Sequence, residues 1–243
     1  MIYEICVDSV AGVRAAKAAG AHRVELCANL LEGGTTPSRG TIRKARTIAG
    51  IGLQVIIRPR GGDFLYDEDE FAVMQTDIET AKEEGADGVV IGLLTPEGDV
   101  DAARTQRLIA KARPLSVTFH RAFDMTRDPY AALETLIGLG VDRILTSGQE
   151  PSVLEGLPLI TELIRRAGER IIIMPGAGIT PRNAERIIAA ARAKEIHFAA
   201  LEPETGGMKF RRHHVYMGGE LRAPEYDRLV TSGDTIRAVM SKG

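Results

Sequence analysis

Two three-residue phrases near the start of the chain carry side chains that suit metal binding, E-I-C at Glu4–Cys6 and E-L-C at Glu25–Cys27. In an extended strand, alternation puts the glutamate and the cysteine on one face and the aliphatic residue on the other. Two thiolates on neighbouring strands can bind a soft ion such as Cu(I). The alternative is that each cysteine fills the core as a small apolar side chain. The spacing matches no recognised metal motif, so taken alone it favours the alternative.

A histidine and an aspartate follow a strand-like run in V-T-F-H-R-A-F-D, which contains His120 and Asp124. Imidazole ordinarily titrates near neutrality, so His120 is the leading candidate for a general acid or base, with Glu25 and Glu4 as its partners. A buried histidine that only packs is the alternative. Asp124 could orient His120 or bind a metal, and it could equally cap the helix that follows.

Two arginines, Arg58 and Arg60, lie at the carboxyl end of the third predicted strand, in I-R-P-R-G-G-D-F. A guanidinium makes forked contacts with carboxylates and phosphates, so both arginines are candidate ligand-binding residues. An ion pair between Arg58 and Glu25 with no catalytic purpose is an equally good interpretation.

Two further strand ends are rich in hydroxyl groups and glycine, with Thr146 and Ser147 in one, and Gly176 and Gly178 in the other. Such residues before a helix offer backbone N–H groups to an anion. Loops after the last strands of α/β barrels commonly bind phosphate. The same residues would also make a tight turn into a helix with Thr180 as its N-cap.

Short β-branched runs alternate with longer amphipathic stretches along the chain, as expected for parallel strands joined by helices. Strands are predicted at Tyr3–Val7, Arg23–Cys27, Leu53–Pro59, Gly88–Leu94, Leu115–Ala122, Arg143–Ser147, Arg170–Met174 and Glu195–Leu201. No G-x-G-x-x-G follows the first strand, and the unit repeats regularly. The pattern therefore predicts an α/β fold, a TIM (β/α)8 barrel forming a single domain over 1–243, rather than an open doubly wound sheet.

The segment Glu202–Pro224 departs from this repeat, because it is rich in Gly, Arg and His. We predict a long loop there (202–224), on the same barrel end as the candidate site, followed by a final helix at Thr231–Ser241. The adjacent pair His213 and His214 is expected to lie on a solvated surface.

The charge balance is nearly even, with 31 Lys plus Arg against 33 Asp plus Glu, which argues against nucleic acid as a partner. The sequence shows neither a signal peptide nor a run of the ~20 apolar residues that cross a bilayer. We therefore expect a cytoplasmic protein with no membrane partner. In that reducing compartment the two cysteines are expected to be thiols.

Several blocks of the sequence resemble the CutC copper homeostasis family: E-I-C-V-D-S, R-V-E-L-C-A-N-L-x-E-G-G-x-T-P-S, I-R-P-R-G-G-D-F, V-T-F-H-R-A-F-D, D-R-I-L-T-S-G-Q, I-M-P-G-A-G-I and M-G-G-x-L-R at Met217–Arg222. The resemblance implies a cytoplasmic TIM barrel that forms a homo-oligomer, a dimer or a tetramer, and binds copper. It places the copper ligands on Cys6 and Cys27.

Two main hypotheses about function follow. The resemblance implies a copper homeostasis protein that binds Cu(I). The polar strand ends suggest instead a barrel enzyme that acts on a small anionic or phosphorylated metabolite by acid/base chemistry, although no reaction can be assigned. An interaction scaffold with a vestigial site is a third interpretation.

Overall fold

Eight parallel strands form the centre of the protein in the computed structural model, which describes residues 1–216 and 226–243. The strands are β1 (Ile2–Val7), β2 (Arg23–Leu26), β3 (Gly52–Ile56), β4 (Gly88–Ile91), β5 (Ser116–Phe119), β6 (Arg143–Thr146), β7 (Ile172–Pro175) and β8 (Glu195–Ala199). They follow the order β7-β6-β5-β4-β3-β2-β1-β8, and a parallel bridge between Gly176 and His197 joins the two ends. The predicted (β/α)8 barrel is confirmed.

Helices surround the strands and alternate with them along the chain. They are α1 (Val10–Ala18), α2 (Arg39–Arg46), α3 (Glu68–Glu83), α4 (Ala102–Ala112), α5 (Pro129–Leu139), α6 (Leu157–Ala167), α7 (Ala184–Ala191) and α8 (Gly233–Met240). Short 3-10 helices occupy Leu30–Glu32 and Arg121–Met125. Among the described residues no helix has the length and apolar character needed to span a membrane.

The aliphatic residues between glutamate and cysteine in the two E-x-C phrases face the helices, as the alternation predicts. Ile5 and Leu26 are completely buried and belong to the main hydrophobic core between sheet and helices. Each such side chain stabilises the fold by roughly 1.5–3 kcal/mol. Because this packing fixes which face of β1 and β2 points outward, it also directs the glutamates and cysteines into the barrel.

Several strands end earlier than predicted, and the residues beyond them form the mouth of the barrel. The third strand ends at Ile56 rather than Pro59, and the fifth ends at Phe119 rather than Ala122. At the second of these ends, the side chain of His120 accepts the backbone N–H of Ala122 and starts a 3-10 helix.

The prediction of a loop over Glu202–Pro224 is wrong in its first part. A strand β9 (Leu201–Thr205) pairs antiparallel with β10 (Asp227–Thr231). The two strands lie far apart in the sequence, so no local turn signal reveals the pairing. Residues 217–225, which include the Met217–Arg222 motif and the end of the predicted loop, lie outside the described residues.

The last helix begins slightly later than predicted, because Thr231 ends β10. Ser232 is the N-cap of α8, and its hydroxyl accepts the backbone N–H of Thr235. His213 and His214 are exposed, in agreement with the expected solvated surface.

Candidate functional site

The two cysteines meet at the carboxyl ends of β1 and β2, inside the barrel. Their Sγ atoms lie 3.7 Å apart, and the Cys27 sulfur is 3.5 Å from Oε2 of Glu25. Potential ligand atoms of Cys6, Glu25 and Cys27 all lie within 4.8 Å of one another. Cys27 is buried and Cys6 is partly exposed, and both are free thiols. The fold therefore brings together three of the four glutamate and cysteine residues of the E-x-C phrases as a compact group, which we call the thiol cluster.

The thiol cluster holds one acidic thiol and two weakly acidic groups. The hydrogen bond with Cys27 lowers the pKa of Cys6 to about 5. The same bond and burial raise the pKa of Cys27 well above its usual value. Burial raises the pKa of Glu25 to about 8, and its Oε1 atom has no hydrogen-bond partner in the described part of the chain. At neutral pH the cluster therefore contains one thiolate, one thiol and one protonated carboxyl group.

His197 on β8 lies between two glutamates. Its Nδ1 atom is 2.8 Å from Oε1 of Glu4, and its Nε2 atom is 3.6 Å from Oε2 of Glu25. Burial alone would lower the pKa of His197, but its contacts with Cys6 and the two glutamates raise it well above the usual value. His197 is then a cation beside the Cys6 thiolate.

Glu4 lies beneath the thiol cluster in a layer of ion pairs that crosses the barrel. Arg23 forms ion pairs with both Glu4 and Glu195. Arg143 donates to Oε2 of Glu195 at 3.0 Å and to Oγ of Ser116 at 2.6 Å. Burial would raise the pKa of Glu4, but His197 and Arg23 lower it to about 2. Glu4 is therefore a permanent anion that holds His197 in place.

Three residues of this layer were not predicted from the sequence: Arg23, Arg143 and Glu195. Each is the first residue of its strand. A signal was present, because Arg23 lies two residues before Glu25, and Glu195 lies two residues before His197. Alternation places residues two apart on the same face, so both were expected inside the barrel by the same rule that located the cysteines.

His120 is buried at the end of β5, with its ring packed against Gly92. Its Nδ1 atom accepts the backbone N–H of Ala122 at 3.1 Å, while Nε2 has no hydrogen-bond partner among the residues that the structure describes. Burial and the nearby charge of Arg58 lower its pKa to about 3. The sequence led us to expect a value near neutrality; the protein instead keeps this imidazole neutral because burial removes its hydration.

Asp124 does not contact His120 through a hydrogen bond and does not cap the next helix, whose N-cap is Asp128. Its carboxylate accepts from the hydroxyls of Thr146 and Ser147 and from two backbone N–H groups of the loop after β6. Arg121 forms an ion pair with it. These hydroxyls, predicted to bind a ligand, thus contact a carboxylate of the protein itself.

Arg58 is buried among backbone carbonyl groups. Its guanidinium donates to the carbonyls of Glu32, Gly34 and Gly62, at 2.7 to 2.9 Å, and its Nε atom has no partner within the described ranges. Within residues 1–216 and 226–243, no carboxylate lies within ion-pair distance of it. The ion pair with Glu25 that the sequence suggested is therefore not formed.

Three other predicted ligand-binding residues, Arg60, Gly176 and Gly178, do not belong to the thiol cluster and do not contact Arg58 or His120 through a hydrogen bond. Arg60 forms an ion pair with Glu70. Gly176 is at the closure of the barrel, where an added Cβ would lie 2.5 Å from a side-chain atom of Leu145. Gly178 adopts a positive φ of 76° and its carbonyl accepts from the Asn183 side chain. Asn183, rather than the predicted Thr180, is the N-cap of α7.

A cavity of 230 Å³ at the barrel mouth connects these features. It joins the thiol cluster to the two unpaired groups on Arg58 and His120. Its lining residues are Cys6, Glu25, Glu32, Gly33, Ile56, Arg58, Phe64, His120, Arg121, Leu145 and His197. Of the four candidate catalytic residues, His120 and Glu25 line the cavity, while Glu4 and Asp124 do not.

The family model and the most similar relatives that we compared agree on one protein family. Residues 1–202 match the model of the CutC family. Two proteins named copper homeostasis protein cutC homolog, from Mus musculus and Homo sapiens, are each 51% identical to this chain over 238 residues. The match covers 98% of this chain, 88% of the mouse protein and 87% of the human protein.

Solved structures agree with the observed fold. The crystal structure of a CutC protein from Streptococcus agalactiae matches with a TM-score of 0.78 and 35% identity, covering 82% of this chain and 98% of that one. N-(5'-phosphoribosyl)anthranilate isomerase from Pyrococcus furiosus matches with a TM-score of 0.60 over 100% of this chain and 98% of its own. At 11% identity, this second likeness concerns the fold alone.

Proposed function

The chain belongs to the CutC copper homeostasis family, and from this premise we propose that it binds Cu(I) in the barrel mouth through Cys6 and Cys27. The observation that carries the proposal is the pair of sulfur atoms 3.7 Å apart, with a glutamate oxygen beside them. Cu(I) is a soft ion that prefers thiolate ligands.

The donor set also fits a metal ion because one of its oxygen atoms, Oε1 of Glu25, has no hydrogen-bond partner in the described part of the chain. A buried carboxyl oxygen without a hydrogen bond is destabilising, and Oε1 of Glu25 is such an atom. An ion held by the two sulfurs would lie close enough to Glu25 to interact with it. Cys6 and Cys27 are thus the proposed ligands, with Glu25 as the adjacent oxygen donor.

The charges around the thiol cluster support an ion of single positive charge. The Cys6 thiolate is already ionised at neutral pH, whereas Cys27 must lose its proton to become a ligand. His197 supplies a cation beside the cluster, and Glu4 holds that cation in place. Two thiolates with one Cu(I) carry one net negative charge, which the imidazolium of His197 would neutralise.

A competition titration tests this proposal on reduced protein without oxygen. A Cu(I)-specific colorimetric chelator is titrated with the natural protein, with Cys6→Ser, with Cys27→Ser and with the variant that carries both substitutions. We expect each substitution to weaken binding by at least about tenfold, since a sulfur ligand is lost. Met125→Leu removes an exposed sulfur elsewhere and should have no effect. Affinity that survives replacement of both cysteines contradicts the proposal.

We also propose that the protein works in the cytoplasm as a homo-oligomer. A reducing compartment would keep the two free thiols available. Exposed apolar side chains of Met208, Phe210 and Leu229, on or near the β9–β10 hairpin, support self-association. Sedimentation analysis of the natural protein and of Leu229→Lys should show dissociation in the variant; a natural protein that is monomeric at all concentrations contradicts the proposal.

A second candidate function is an enzyme that acts on a small anion by acid/base chemistry. The cavity at the strand ends favours it, because active sites of this fold lie there. Glu25, with its raised pKa, could donate a proton, and the neutral His120 could donate a hydrogen bond to a developing oxyanion. Incubation with pooled small anionic and phosphorylated metabolites, followed by mass spectrometry, tests it. Conversion that disappears in Glu25→Gln supports an enzyme, and no conversion of any compound contradicts it.

A further inference from the structure

The guanidinium of Arg58 is a buried charge with no counter-ion among residues 1–216 and 226–243. Only 6% of the residue is exposed. Its three hydrogen bonds go to neutral carbonyl groups, and the described part of the chain places no carboxylate within ion-pair distance. Burial of a charge is costly unless it is paired. The arrangement holds a fixed cation against the cavity, and a negative group there would compensate it.

His120 adds a hydrogen-bond donor to the same cavity. Because Nδ1 accepts the Ala122 N–H, the neutral ring carries its proton on Nε2. That atom is buried with no partner from the described residues, and the residue is only 5% exposed. An acceptor atom from a ligand would satisfy it.

Phe64 packs against both groups. Its ring centroid is 5.0 Å from that of His120 and 5.3 Å from the guanidinium carbon of Arg58. All three residues line the cavity. Phe64 also provides an apolar surface for the carbon part of a ligand.

We infer that Arg58 and His120 form a binding site for the carboxylate group of a small organic acid. One carboxylate oxygen would accept from Nε2 of His120, and the negative charge would compensate the guanidinium. The site is separate from the thiol cluster, although both line one cavity.

The charge of the cavity favours a carboxylate over a phosphate group. Arg121, the other arginine in the wall, already pairs with Asp124. The glycines Gly176 and Gly178, which could have offered backbone N–H groups to phosphate, do not line the cavity. The Cys6 thiolate lies beside the His197 cation, so Arg58 is the one unpaired cation among the described residues of the wall, and it matches one negative charge. The Glu32 carboxylate also lies at the wall, but it is exposed and bonded to Asn29, so water screens its repulsion.

This inference deepens the second candidate function, because it names the class of ligand. Only the biological role of the ligand rests on that candidate function; the binding itself does not. Binding is measured on copper-free protein without turnover. Failure of binding is therefore distinguishable from failure of catalysis or of copper binding.

The test uses reduced, full-length protein labelled with ¹⁵N in its histidines. Acetate, pyruvate and inorganic phosphate are titrated separately at constant ionic strength, and the side-chain nitrogen signals are recorded. The His120 signals are assigned by their loss in His120→Asn, which keeps an acceptor for the Ala122 N–H and removes the Nε2 donor. His22→Asn is the matched control, because Nδ1 of His22 also accepts a backbone N–H, from Tyr3.

We expect acetate or pyruvate to shift the His120 Nε2 signal saturably and to leave the His22 signals unchanged. Affinity measured by thermal shift should fall by about tenfold or more in His120→Asn and in Arg58→Lys, and should be retained in His22→Asn. Saturable shifts with phosphate alone overturn the choice of carboxylate. No saturable shift with any of the three anions overturns the site itself.

Discussion

Replacing His120 by asparagine should change how the stability of the protein depends on pH. The natural imidazole is buried and neutral, and it accepts the Ala122 N–H through Nδ1. The Oδ1 atom of asparagine can take over that acceptor role. The substitution therefore removes a titratable group while it keeps the local hydrogen bond.

The direction in which pH changes the free energy of unfolding follows from the pKa of His120 in the folded and unfolded states. The pKa of His120 is lowered from 6.5 in the unfolded chain to about 3 in the folded protein. Between these values the unfolded chain binds more protons, so acid favours unfolding. The stabilisation is complete above about pH 6.5 and is lost as the pH falls toward 3. From pH 7 to pH 5 the loss amounts to roughly 2 kcal/mol, since one pKa unit corresponds to about 1.4 kcal/mol.

Urea unfolding at pH 7, 6 and 5 measures this difference. The natural protein should lose roughly 2 kcal/mol more than His120→Asn between pH 7 and pH 5. His22→Asn serves as the control and should retain the contribution of His120. Identical pH dependence in the natural protein and His120→Asn, or an NMR titration of His120 centred near pH 6.5, would refute the reasoning.

Two other substitutions test how the barrel interior is held together. Arg23→Met leaves Glu4 and Glu195 without their shared guanidinium, and we expect a loss of roughly 3–5 kcal/mol in the free energy of unfolding, measured in urea. Gly92→Ala puts a methyl group against the ring of His120, so we expect roughly 1–3 kcal/mol of destabilisation and an altered His120 NMR signal.

Each of these substitutions has a control on the surface. Arg170→Met breaks an exposed pair with Glu134 and should cost less than about 1 kcal/mol. Gly138→Ala lies in α5, where an added methyl group contacts nothing within 4 Å, so it should not destabilise the protein. If Arg23→Met costs no more than Arg170→Met, the buried layer does not stabilise the fold as described. A Gly92→Ala variant as stable as Gly138→Ala would contradict the close packing on His120.

The barrel and the thiol cluster were predictable because both follow from local alternation. Cys6 and Glu25 are direct neighbours in the register of β1 and β2, and any parallel pairing that buries Ile5 and Leu26 directs them inward. The regular strand and helix repeat then specifies the barrel, and the carboxyl ends of its strands locate the mouth.

The environment of each polar group was not predictable, because it depends on residues from distant parts of the chain. Arg58 is held by carbonyls of two separate loops rather than by Glu25. His120 is neutral because Gly92 lets its ring pack deeply and Arg58 lies nearby. No pattern in V-T-F-H-R-A-F-D encodes these contacts, so residue type suggested a pKa that the fold does not permit.

X-ray absorption at the copper edge tests the central claim most directly, on reduced protein loaded with one equivalent of Cu(I). We predict a spectrum dominated by two sulfur neighbours, reduced to one in Cys6→Ser and in Cys27→Ser. A spectrum with only nitrogen and oxygen neighbours, or one unchanged by either substitution, would contradict the claim that the barrel mouth binds copper through its two thiols.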